Sequence, residues 1–218
     1  MEEKKNVVTS VKNEELIQKR RDQLIKAAVK LIIEKGFHKT TTREIAKAAG
    51  FSIGTLYEYI RSKEDVLYLV CDDIYEQVST RLKEKVKLRG DGLSCLRDAI
   101  VTCITVVNDM QDEILIMYQE AKSLSRDSLP YVLNKESEMA SIFEKIMRFC
   151  ISSGQLNLTD KEVKFYAHHI LVQCQMWAFR RWAFKKDYSI KEFSNMQVKV
   201  LLNGLSDVNK SYSLIKGE

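Results

Sequence analysis

Between Arg43 and Ile60 the chain reads REIAKAAGFSIGTLYEYI. Ser52, Thr55, Tyr57 and Tyr59 fall outward or at the rim of the segment after Gly50, and hydroxyls and phenols bond phosphate oxygens. Gly54 leaves a flat spot among them, open to close approach by a base edge or a thymine methyl in the major groove. Arg43 precedes the set, where it can reach a base or a phosphate. Lys63 follows it, at the start of the next helix, where a phosphate contact is natural. This is chemistry for holding double-stranded DNA. Each hydroxyl also has a plainer reading: Thr41, Thr42, Ser52 and Ser62 stand where helices need caps, and capping does not exclude a phosphate contact.

The elements that must position these groups are two short helices meeting at Gly50, where a tight turn favours a positive φ. Ala46, four residues earlier, is small enough for the second helix to pack closely on the first. Leu56, ten residues after Ala46, buries against it, and Ile45 and Ile60 join the same small core. This arrangement is a helix-turn-helix. Thr41 and Glu44 form a capping box for the first helix, and Ser52 caps the second. A preceding helix runs over 16–35, with Leu24, Ala28, Leu31 and Ile32 on one stripe, and ends at Gly36. The charge agrees. From Leu16 to Lys63 there are 11 basic and 4 acidic residues, a net +7, while residues 1–15 and 64–218 each sum to −1. The whole positive surplus therefore lies in one block, an electrostatic footprint for a polyanion.

The ordered set Gly36-Phe37, Thr40 to Glu44, Ile45-Ala46, Ala49-Gly50, Ser52, Gly54 to Tyr57, Tyr59 and Ser62 to Glu64 resembles the DNA-binding domain of the TetR family of bacterial transcriptional regulators. The likeness covers about residues 16–70. Ile60 departs from it, where the family usually has Phe, and so does the longer N-terminal arm. The resemblance implies a homodimer with a C-terminal ligand domain. It also implies DNA contacts from Thr42, Arg43, Ser52, Gly54, Thr55, Tyr57, Tyr59 and Lys63.

Beyond this block the pattern stays helical. The chain has 218 residues, one proline and 8 glycines, which argues against a turn-rich β fold and leaves room for long helices. Helices are expected over 62–88, 93–108, 113–124, about 130–151, 159–185 and 189–205, the last two opened by the capping boxes Thr159/Glu162 and Ser189/Glu192. The expected fold is all-α: a flexible arm over 1–15, a three-helix helix-turn-helix domain over 16–62, and a helical ligand-binding and dimerisation domain over 63–218.

The segment Ala167 to Ala183 is apolar nearly all round, so it must be buried on more than one side. Pairing it with the final helix, through Phe193, Met196, Val200 and Leu201, predicts a four-helix interface between two copies. Met117, Tyr118, Phe143, Met147, Tyr166, His169, Gln173 and Trp177 have the composition of a pocket for a small apolar ligand, and equally that of a core. The stretch Tyr118 to Leu124, with Trp177 and Arg181-Trp182, resembles the members of the family that sense acyl-CoA thioesters or fatty acids. Gln173 and Met176 depart from that pattern. Arg180, Arg181, Lys185 and Lys186 are cations that suit CoA phosphates or a helix C-terminus.

Other classes fare worse. GxSxG, HExxH, P-loop and GxGxxG patterns are absent, so an enzyme is not expected, and neither a catalytic nor a metal-ligating set is assigned. The longest uncharged stretch, Phe165 to Phe179, is shorter than the roughly 18–20 apolar residues of a membrane span. Residues 1–10 lack the apolar core of a secretion signal. Five cysteines without a CxxC pair suit reduced, buried thiols in the cytoplasm. The expectation is a cytoplasmic repressor without a resident cofactor, released from DNA by a small apolar effector. The rival reading is a ligand-independent architectural DNA binder.

Overall fold

The computed structural model describes residues 7–85 and 90–215, by their backbone alone at 85 and over 206–215. Among the described residues the chain is helical and forms no strand. These residues form, in order, α1 (Glu14–Lys35), α2 (Thr42–Ala49), α3 (Ile53–Tyr59), α4 (Lys63–Lys85), α5 (Gly92–Asp109), α6 (Gln111–Glu120), α7 (Leu129–Ser152), α8 (Asp160–Phe179), α9 (Arg181–Asp187) and α10 (Ile190–Ile215), with a 3-10 turn at Ala121–Ser123.

Local chemistry sets most boundaries. The Asn13 side chain accepts from Leu16 N to open α1. Capping boxes at Thr41/Glu44 and Thr159/Glu162 open α2 and α8, and Ser189 with Glu192 does the same for α10. Three boundaries differ most from expectation. The helix foreseen over 113–124 ends at Glu120 and tightens into the 3-10 turn at Ala121–Ser123. The helix foreseen over 159–185 breaks at Arg180 into α8 and α9. The final helix continues past 205 to Ile215. The expected end of α4 near Leu88 lies outside the described residues.

The chain divides into two compact units. The first comprises the described residues of Met1–Gln77 with Asp112–Lys135, and the second those of Val78–Gln111 with Glu136–Glu218. Both are discontinuous, unlike the single boundary near residue 62 suggested by the motif. In the first unit α1 packs on α2 and α3. Helices of eight and seven residues are too short to persist alone. Burial of Ile45, Ala46, Leu56 and Ile60 against Leu24, Ala28 and Ile32 holds them. The same unit buries Asp72, whose carboxylate accepts from the Tyr131 hydroxyl at 2.8 Å. In the second unit α5 packs on α8 and α10.

All five cysteines are free and buried. Burial is the first cause that raises the Cys71 thiol to about 12 and the Cys150 thiol to about 11. Cys174, fully enclosed and hydrogen-bonded with Cys103, is also raised, burial again leading.

Candidate nucleic-acid interface

The helix-turn-helix is held by four devices. Thr41 Oγ1 and the Glu44 carboxylate bond each other's backbone N–H at the head of α2. Lys35 Nζ lies 2.5 Å from Glu44 Oε1. The bonds from Lys35 first, then Thr41, hold the Glu44 carboxyl down at about 2. At the other end of α2, Gly50 takes φ 76° and ψ 29°, the left-handed conformation that a side chain disfavours. Its turn lets Phe51 N reach Ala46 O at 2.8 Å. Ser52 then caps α3, its Oγ accepting from Thr55 N at 3.0 Å and lying 2.9 Å from Thr55 Oγ1.

These devices bring most of the foreseen DNA contacts together. Arg43, Ser52, Gly54 and Tyr57 are exposed, and Thr42 and Thr55 half-exposed. Thr42 Oγ1 lies 3.3 Å from the Tyr57 hydroxyl, which ties the first turn of α2 to the outer face of α3. A Cβ built on Gly54 would meet only Ser52 Oγ, at 3.7 Å, so nothing in the fold requires glycine there.

Tyr59 does not join them. It is only 3% exposed, with its ring 6.4 Å from that of Phe51. At about 100° per residue, Tyr57 and Tyr59 point about 200° apart on one helix, so they cannot share an outward face. Tyr59 is therefore a core residue of the unit. Lys63 is half-buried. Its Nζ donates to Phe37 O at 3.1 Å and His38 O at 3.3 Å and sits 4.3 Å over the Phe37 ring. It ties down the loop after α1, a task that its position in the sequence did not reveal.

Two contributors were missed. Residues 7–10, part of the supposed arm, are docked. Thr9 Oγ1 and Ser10 N donate to Glu58 O at 2.7 and 3.0 Å, Arg21 donates to Val7 O, and Val7 is buried. Isolated polar letters at the chain start carry no signal for this, because the acceptor is a backbone carbonyl 49 residues on. Arg20 lies 5.0 Å over the Phe51 ring, adding a cation beside the head of α3. Its place in the +7 block was the available clue.

The eight residues foreseen for an effector divide between the units. In the first, Met117 is buried and Tyr118 is 69% exposed. In the second, Phe143 and Met147 are fully buried, and Tyr166 and Gln173 are half-buried. Burial first, then Glu162, raises the Tyr166 phenol. Trp177 is enclosed, its Nε1 donating to Asn108 Oδ1 at 2.9 Å and its ring 5.0 Å from Phe193. His169 faces outward, stacked on Phe165 with ring centroids 6.0 Å apart. Phe165 and Val172 on α8, and Met196 and Val200 on α10, are apolar side chains about half exposed or more. Among the described residues, no group of three or more metal-ligating side chains occurs, and no helix is long and apolar enough to cross a membrane.

Comparison with known proteins agrees with this architecture. Residues 24–68 match the family model described as bacterial regulatory proteins, tetR family. The HTH-type transcriptional regulator HbdR of Aromatoleum sp. (strain CIB) is 29% identical over 189 residues, covering 87% of this chain and 80% of that protein. Among solved structures, a bacterial regulatory protein in the tetR family from Rhodococcus RHA1 superposes with a TM-score of 0.77 at 19% identity, over 86% of this chain and 97% of that one. AibR, in complex with isovaleryl coenzyme A and operator DNA, superposes with a TM-score of 0.70 at 18% identity, over 83% and 97%.

Proposed function

Through residues 24–68 the chain belongs to the tetR family of bacterial regulatory proteins, and from that premise we propose that it is a ligand-responsive transcriptional repressor working as a homodimer in the cytoplasm. The observation that carries the reading is the outward face shared by Arg43, Gly54 and Tyr57, with Thr42 bonded to Tyr57 and Ser52 to Thr55. α3 enters the major groove there, while the hydroxyls and the surrounding cations hold phosphates. Two copies bind successive half-sites of a palindromic operator, with centres about 34–36 Å apart.

The apolar faces of α8 and α10 favour self-association. Phe165 at 63%, Val172 at 48%, Met196 at 50% and Val200 at 66% exposed are large apolar side chains that a second copy would remove from water. We assign the effector to a small apolar molecule, an acyl-CoA thioester or fatty acid. The likeness of fold to a regulator crystallised with isovaleryl coenzyme A supports that class. Such an effector releases DNA by binding better to a state with misplaced recognition helices. Moving that balance from 1:99 to 99:1 takes about 5.5 kcal/mol of differential binding.

The test is a gel shift on the DNA upstream of the chain's own gene, with and without acyl-CoA of graded chain length. Retarded DNA released by one range of chain lengths is the expected result. DNA affinity unchanged at every chain length would sink the effector assignment alone. Binding that survives Arg43→Ala and Tyr57→Phe together, at moderate salt, would sink the assigned face.

A further inference from the structure

A cleft of about 810 Å³ opens in the first unit between α1 and α4, with Glu113 of α6 at its edge. The volume is within the range of small-molecule sites, roughly 300–1,000 Å³. The floor is aliphatic. Ile25, Val29 and Ile33 recur at helical spacing along α1, and Ile74 faces them from α4. Ile25 and Ile74 are buried, whereas Ile33 at the mouth is 45% exposed.

The charged groups around that floor are Asp22, Lys26, Lys30 and Glu34 from α1, Asp73 from α4 and Glu113 from α6. Four acids face two lysines: the pairs on α1 balance, and Asp73 and Glu113, both outside the basic block, leave a local excess of negative charge. Asp73 is the unusual member. It is half-buried, and Gln77 Nε2 donates to its Oδ2 at 2.7 Å. Its carboxyl nevertheless sits above the ordinary aspartate range, from burial first and then from the like charges of Asp22 and Asp72, against the opposing pull of Lys26. Asp22 is held from its own helix by Gln18 Nε2 at 2.8 Å.

We propose that this cleft binds a primary alkylammonium, its cationic head between Asp22 and Asp73 and its hydrocarbon chain along Ile25, Val29, Ile33 and Ile74. Charge and shape agree on the occupant. A primary ammonium offers three N–H donors to carboxylates that repel each other, and an alkyl tail removes aliphatic surface from water. A carboxylate or phosphate ligand meets repulsion at the same place, and a neutral alcohol leaves that repulsion in place. Binding draws on the ionised form of Asp73, so affinity rises with pH as that carboxyl loses its proton. The cleft is separate from the effector residues assigned above, and its occupancy does not depend on an operator being read.

Isothermal titration of the full chain with n-octylammonium, and in parallel with n-octanol, tests the assignment. Saturable binding of one octylammonium per chain is expected, with octanol weaker by about tenfold or more, the scale of a charge-assisted hydrogen bond. Asp73→Asn weakens octylammonium by a similar factor. Ile33→Lys places a cation at the exposed mouth and does the same in a chain that melts as the parent does. Between pH 4 and 7 the parent's affinity for octylammonium increases, and that of Asp73→Asn changes less. Equal binding of the amine and the alcohol, an affinity indifferent to Asp73→Asn and Ile33→Lys, or no saturable octylammonium binding each overturns the proposal.

Discussion

At Gly54 stability and function can be separated in one substitution. An exposed glycine inside a helix costs up to about 1 kcal/mol relative to alanine, and a Cβ there meets only Ser52 Oγ at 3.7 Å. Gly54→Ala is therefore expected to melt no lower than the parent, and up to about 1 kcal/mol more stable, while fluorescence anisotropy shows weaker binding to operator DNA. Equal DNA affinity would mean that no base edge approaches there. Glu44 gives a second test. Its native carboxyl is held at about 2, below the unfolded value near 4.3, so the unfolded state takes up protons first as the pH drops. The stabilisation is complete above about pH 5 and fades between about 4.5 and 2. Thermal melts over that window are expected to decline less steeply for Glu44→Gln than for the parent. The capping hydroxyls, Gly50 and the pair Ala46/Leu56 could be read from single letters because each acts within a few residues of itself. Tyr59 could not, since its inward direction follows from helical phase, and Lys63 could not, since its partners are carbonyls about 25 residues away.

Capped helices announced themselves in the sequence, and the uncapped break did not. Thr159/Glu162 and Ser189/Glu192 gave the starts of α8 and α10, but no glycine or proline marks Arg180. The chain turns there because aromatic packing gains from it. Arg180 N still bonds Met176 O, Ala183 and Phe184 N–H then bond Arg180 O, and Phe184 is brought within 5.0 Å of Phe193 on α10, beside Trp177. Such a break is a tertiary preference, invisible to spacing and caps. Gly92 carries a tertiary demand too. Its N–H donates to Gln155 Oε1 at 2.8 Å, and an added Cβ would lie 2.6 Å from that oxygen, 2.9 Å from Cys150 Sγ and 3.1 Å from Cys150 Cα. Gly92→Ala, ordinarily favourable in a helix, is expected to cost about 1–3 kcal/mol by overpacking α5 against the end of α7. Urea denaturation measures it, and a midpoint at or above the parent's would show that this contact yields.

Across the whole molecule, the concentration of positive charge in one short block spoke for DNA more clearly than the chain's total of +5. The division into two discontinuous units was not legible, because it arises from pairings such as Tyr131 with Asp72 and Lys135 with Glu76, each 59 residues apart. Self-association belongs to this scale as well. Val200→Asp puts a charge on an apolar position that is 66% exposed in the single chain, so folding is expected to survive and pairing to fail. Native mass spectrometry should then report a dimer for the parent and a monomer for the variant. A Val200→Asp chain that remains dimeric would remove α10 from the interface. The buried thiols carry a practical consequence. With all five cysteines enclosed and three of them held well above the ordinary thiol range, the folded chain is a silent background for maleimide chemistry. A single cysteine placed on the outer face of α3 would then be the preferred point of attachment for a spin label or fluorophore, and its distance to the same label on a second copy would give the spacing of the two recognition helices in solution.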